Sequence, residues 1–108
     1  MAWQKAQDWA VEIFSTFGEL KHFGFRDQIC NAVVSISNNI AEGFDRSSDA
    51  DFSRFLYFAL GSASETKSML YLAGRLNFIN NERKVKLVEQ SDEISRIIRG
   101  LIKSIAKK

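Results

Sequence analysis

The sequence predicts an all-α fold, an antiparallel up-and-down four-helix bundle, as one domain over residues 1–108. Three observations predict it. The 108 residues include no proline; a β-rich domain of this size normally places proline in turns and on edges, so its absence favours long helices with short connections. Apolar residues recur three and four apart through four long stretches, the period of an amphipathic helix. The breaks between these stretches are short, which places successive helices side by side and opposite in direction. With 45% apolar and 26% charged residues, the chain has an ordinary globular composition and length for one core.

The first helix is expected over Ala2–Phe17. Trp3, Ala6, Ala10, Ile13 and Phe17 share a stripe, with Trp9 off it, and Gly18 is the expected C-cap. Gly18 to Gly24 reads as a loop carrying His22. The second helix is expected over Phe25–Glu42, with Phe25, Ile29, Ala32, Val33, Ile36 and Ile40 on one face and Gly43 as the stop. Ser48 followed by Asp51 resembles a capping box. The third helix, Asp49–Leu76, has two apolar stripes. One is Phe52, Phe55 or Leu56, Ala59, Ala63, Thr66, Leu70 and Ala73. The other is Phe58, Ser62, Glu65, Met69, Leu72 and Leu76. An isolated bundle hides one such face, so Phe58, Met69, Leu72 and Leu76 are expected at an interface between copies. Asn80 or Asn81 is the expected N-cap of the fourth helix, Glu82–Ala106. There Leu87, Ser91, Ile94, Ile98, Leu101 and Ile105 form a bundle seam.

No apolar run approaches a membrane span, and MAWQKAQDWA lacks the basic and apolar regions of a signal peptide. The single cysteine forms no internal disulfide, so the cytoplasm is the expected compartment. Net charge is +2 but unevenly spread. Residues 1–52 carry four basic and eight acidic side chains; residues 53–108 carry eleven and five. The asymmetry suits an anionic partner, or attraction between parts of one bundle or between subunits; the modest total favours attraction. Arg83, Lys84, Lys86, Arg96, Arg99 and Lys103 are the candidate nucleic-acid contacts on the last helix. As a plain helix they would be a solvated face; in a ring each is repeated, and phosphate contacts sum.

Other sharp readings are weaker than structural ones. Glu42 and Glu65 form no Glu-x-x-His pattern for a di-metal bundle. Cys30 has no catalytic motif around it, and His22 is the only imidazole. There is no phosphate-binding loop. Trp3, Trp9, Tyr57 and Tyr71 suit the core, subunit contacts or a rim better than base stacking. No catalytic residue, metal or cofactor is expected.

SISNNIAEGFDRSS, and after a spacer RFLYFALGSASE, resemble a bacterial four-helix bundle family. It includes proteins encoded in intervening sequences of 23S rRNA genes, sometimes labelled S23 proteins, and accessory variability proteins of diversity-generating retroelements. The hallmark looks like SIPxNIAEGxxR followed by FxxxLxxAxGSxxE. It is matched at Ser35, Ile36, Asn39, Ile40, Ala41, Glu42, Gly43 and Arg46, then at Phe52, Leu56, Ala59, Gly61, Ser62 and Glu65. Ser37 replaces the family's proline, the loop proline is absent, and Cys30 and Asn31 stand where basic residues are common. The resemblance implies a homo-oligomer, most often a barrel-shaped pentamer, and a non-enzymatic scaffold for nucleic acid or a nucleoprotein. A protein–protein module meeting an acidic partner is the alternative. Small residues here and at Gly61–Ala63 would let helices two and three approach closely. Asn39, Glu42, Arg46 and Glu65 are expected to form a polar network that fixes register within or between subunits.

Overall fold

In the computed structural model, which describes residues 1–107, the chain forms four helices: α1 Ala2–Phe17, α2 Phe23–Phe44, α3 Asp49–Arg75 and α4 Asn81–Ala106. Each helix packs on the next, α4 also packs on α1, and α2 shares its most extensive contact with α3. The bundle measures 45 × 22 × 18 Å. Its core threads all four helices, with Ile13, Ile29, Ile36, Leu56, Leu70 and Ile98 fully enclosed.

The helix starts follow from side-chain caps. Ser48 Oγ accepts from the Asp51 amide at 3.1 Å, and Asn80 Oδ1 accepts from the Arg83 amide at 2.8 Å. Each satisfies a donor that the first turn leaves without a helical partner. α3 ends with Asn77 in the left-handed region, φ 62°. The Asn77 amide donates to the Gly74 carbonyl and the Phe78 amide to the Ala73 carbonyl, at 3.2 and 2.9 Å. This is a Schellman ending, with asparagine in the place glycine usually takes. The turn it makes brings Phe78 to the opposite loop. There Phe78 stacks on His22 at 4.6 Å and meets the edge of Phe25 at 5.2 Å. His22 thus belongs to an aromatic clasp at one end of the bundle.

Three sequence expectations change. Trp9, not Trp3, enters the core: Trp9 is 1% exposed and Trp3 43%. The buried set of α1 is Ala2, Ala6, Trp9, Ile13 and Phe17, an alternative three-and-four ladder on a helix that packs against both α2 and α4. Gly43 does not stop α2, which runs on to Phe44. No glycine has positive φ, and Gly18 closes α1 in right-handed geometry. A Cβ on Gly43 would lie 2.9 Å from Phe52 Cδ1 and 3.2 Å from Phe55 Cβ. Its missing side chain therefore serves the approach of α2 to α3, where an added methyl overpacks. Finally, α2 begins two residues before the expected Phe25, and the connection from α1 is shorter.

Trp9→Ala should destabilise the chain by about 3–5 kcal/mol through cavity formation. Trp3→Ala should cost about 1 kcal/mol or less, as expected away from the core. Urea unfolding at fixed protein concentration checks the order, and equal costs would refute this assignment of the α1 faces.

Candidate nucleic-acid interface

The polar residues of SISNNIAEG resolve into separate contacts. At the α2–α3 crossing, Ser62 Oγ donates to Ser35 Oγ at 2.9 Å. Asn39 Nδ2 donates to Ser35 Oγ at 2.9 Å and to the Ser35 carbonyl at 2.8 Å. One turn further on α3, the buried Thr66 hydroxyl donates back to the Ser62 carbonyl at 2.8 Å. Polar side chains at a helix contact are tolerated where their donors find acceptors, as those of Ser62, Asn39 and Thr66 do. Glu42 is elsewhere: exposed, it accepts from Arg46 Nη2 at 2.8 Å. Arg46 also lies over the Phe55 ring at 4.6 Å. Glu65 accepts from Gln28 Nε2 at 3.4 Å. The four residues expected to form one network are thus not joined into one within the chain. Asn39 works with Ser35 and Ser62, Glu42 pairs with Arg46, and Glu65 reaches α2 alone.

The apolar residues assigned to an interface also divide. Phe58, Leu72 and Leu76 are exposed, but Met69 is 8% exposed and packs into the core. α3 is turned so that Met69 joins Leu70 and Ala73 inward. α1 adds an exposed apolar row that the periodicity does not single out, Trp3, Val11 and Phe14.

The six candidate bases on α4 have different surroundings. Arg83 is engaged: its guanidinium pairs with Glu12 and donates from Nε to Thr16 Oγ1 at 3.2 Å, tying α4 to α1. The Lys84 stem crosses Gly74, where a Cβ would come within 2.8 Å of its Cδ, and its ammonium lies 5.4 Å from the centre of the Tyr71 ring. Lys86, Arg96, Arg99 and Lys103 are exposed, with no carboxylate within ion-pair distance among the described residues. α3 contributes a base not foreseen among the contacts, Lys67, whose Nζ donates to Asp92 Oδ1 at 2.7 Å. That hydrogen bond holds the lysine pKa above its ordinary value. On the α1 side, the hydrogen bond from Lys5 lowers the Glu93 pKa. Burial pushes the Cys30 thiol upward, the opposite of what a nucleophilic cysteine needs.

The fold and the site define a small helical bundle with unpaired cations on its last helix and apolar side chains open on its third. The chain belongs to the family described as 23S rRNA-intervening sequence protein, whose match covers residues 1–100. Among solved structures, it is similar to a protein of unknown function from the S23 ribosomal protein family of Bacteroides thetaiotaomicron. The two are 32% identical over 95% of this chain and 99% of the other, with a TM-score of 0.90. No curated protein matches the chain. No helix of the described residues is long and apolar enough to cross a membrane.

Glu42→Ala should cost about 0.5 kcal/mol or less, as an exposed pair one helical turn apart contributes little. Ser62→Val should cost about 1–3 kcal/mol, because it crowds the crossing and removes the hydrogen bond between the helices, leaving Ser35 Oγ only its own helix's Asn39 as donor. Chemical denaturation compares them; a larger loss for Glu42→Ala would place the register-setting contact at the carboxylate instead.

Proposed function

We propose that this chain is a non-enzymatic scaffold, an antiparallel up-and-down bundle that assembles with copies of itself and binds nucleic acid or a nucleoprotein. The observation that carries the binding reading is the set Lys86, Arg96, Arg99 and Lys103, exposed on one helix without carboxylate partners. Electrostatic attraction to phosphates sums over contacts and falls steeply with salt, so an assembly multiplies a modest patch. The antiparallel arrangement draws support from contacts that pair early with late residues. Gly43 faces Phe52 and Ser35 faces Ser62; across α3 and α4, Gly74 faces Lys84 and Lys67 faces Asp92. Self-assembly draws support from Phe58, Leu72 and Leu76, large apolar side chains left in water on one helix. A closed ring, with five copies by family resemblance, would cover such a stripe through head-to-tail contacts. A cytoplasmic setting agrees with the free, buried Cys30.

Light scattering should give a mass that is a multiple of the chain's 12.3 kDa. Leu72→Glu should lower that mass while keeping helicity, whereas Met69→Glu should unfold the chain. A monomer at high concentration would refute assembly. In gel shifts with structured RNA and duplex DNA, the assembly should bind at low salt. Replacing Arg96, Arg99 and Lys103 by Gln should weaken binding and flatten its salt dependence by about one unit for each phosphate no longer neutralised. No shift at low salt would remove the nucleic-acid reading; capture of an acidic protein after nuclease treatment would put the alternative in its place.

A further inference from the structure

The groove between α3 and α4 contains two adjoining recesses that share one arginine. The first, about 280 Å³, is lined by Lys67 and Ser64 from α3 and by Asp92, Ser95, Arg96 and Arg99 from α4. Asp92, Arg96 and Arg99 follow at steps of four and three, so one helical face aims all three at the groove. Ser91 also lines this recess; it is 1% exposed, and its Oγ has no hydrogen-bond partner. The second recess, about 230 Å³, is lined by Tyr57, Leu60, Arg99, Ile102 and Lys103. Its walls are mostly apolar, and Tyr57 is exposed.

We propose that this groove is a subsite for one nucleotide of a single-stranded nucleic acid. Lys67, Arg96 and Arg99 hold the phosphate beside the Ser64 and Ser95 hydroxyls, and the base lies against Tyr57. The proposal rests on the nucleic-acid reading above and narrows it. Guanidinium forks suit phosphate oxygens; Lys67 is paired with Asp92, the single carboxylate in the recess, and Arg96 and Arg99 are left as its two cations without a carboxylate partner. An apolar recess with a tyrosine at one edge, next to a cationic one, matches the alternation of base and phosphate along a strand. A duplex keeps its bases stacked inside and cannot fill the Tyr57 recess.

The test uses the intact assembly and two probes, inorganic phosphate and a short single-stranded RNA. Phosphate, against chloride at equal ionic strength, should cause saturable amide shifts at Ser64, Ser91, Ser95 and Arg99. Arg96→Gln with Arg99→Gln should weaken phosphate and RNA about 10-fold or more, and Lys21→Gln, at an exposed lysine in the connection from α1 to α2, should leave phosphate unchanged. Ser95→Ala should weaken phosphate, which a purely Coulombic patch would not register. Asp92→Asn should tighten it several-fold. Tyr57→Leu should weaken RNA about 5-fold or more, the factor that corresponds to about 1 kcal/mol, the low end for a stacked base, and leave phosphate unchanged. Chloride reproducing the phosphate shifts, or RNA indifferent to both the arginine pair and Tyr57, would overturn the subsite while leaving binding elsewhere intact. Phosphate binding without any RNA or DNA binding would instead overturn the nucleic-acid reading and leave only an oxyanion site.

Discussion

The close crossing of α2 and α3 is the constraint on which the rest of the molecule depends. Gly43 lets the Phe52 ring lie where any side chain would stand, and Ser35 and Ser62 meet hydroxyl to hydroxyl at 2.9 Å. Small residues shorten the distance between helices, and their hydroxyls replace the water expelled from the crossing. Isoleucines flank them on α2, with Ile36 and Ile40 fully buried, so apolar burial supplies the driving force and the hydroxyls supply the register. A hydroxyl pair has little tolerance for axial sliding, since hydrogen bonds weaken steeply with distance and angle.

Fixing α3 against α2 fixes what α3 offers elsewhere. With Ala59, Ala63 and Thr66 turned into the core, Phe58, Leu72 and Leu76 are left outward. Lys67 is carried to the α4 side, where Asp92 receives it. The same rotation therefore sets an apolar stripe and one wall of a cationic groove. Aromatic contacts between Phe25, Phe78 and His22 hold the two loops of that end together, while Arg83 pins the start of α4 to Glu12 and Thr16 of α1. An arginine held in this way is a strut, and its removal acts on the bundle before it acts on any ligand.

Much of this is legible in the sequence. The 3.6-residue period places four helices with small end errors, and the caps at Ser48 and Asn80 are visible because their chemistry is local. The family motif is equally visible, being a string of residues at fixed spacing. What stays hidden depends on partners distant in sequence. Trp3 and Trp9 each extend a plausible ladder on α1, and the choice between them depends on how α1 packs against α2 and α4. Gly43 reads as a stop by propensity, whereas its reason is a phenylalanine nine residues on. Met69 lies on the outer stripe by angle, yet α3 is turned so that it joins the core. Asn39, Glu42, Arg46 and Glu65 share a motif but not a contact, because spacing says which face a residue takes and not how far its polar end reaches. Lys67 does not stand out in the sequence, because a single lysine on α3 becomes significant only beside α4.

The charge asymmetry gains a different meaning once the ion pairs are placed. Attraction between the acidic first half and the basic second half would explain it if the pairs between helices ran from one to the other. Among the described residues, Arg83–Glu12 does, but Lys5–Glu93 runs the opposite way and Lys67–Asp92 lies wholly within residues 53–108. Arg54–Asp51 crosses the boundary only as neighbours on one helix. Direct ion pairing within the chain thus consumes little of the surplus, and Lys86, Arg96, Arg99 and Lys103 keep theirs. These side chains are solvated, so the fold gains little from their charge, and exposed like charges on one helix repel. A surplus the chain itself does not pair is free to act outward, on a second copy or on an anion. Those two destinations differ in geometry: an anion calls for cations converging on a recess, the arrangement of Lys67, Arg96 and Arg99 around hydroxyls, whereas a subunit contact calls for carboxylates on a matching surface.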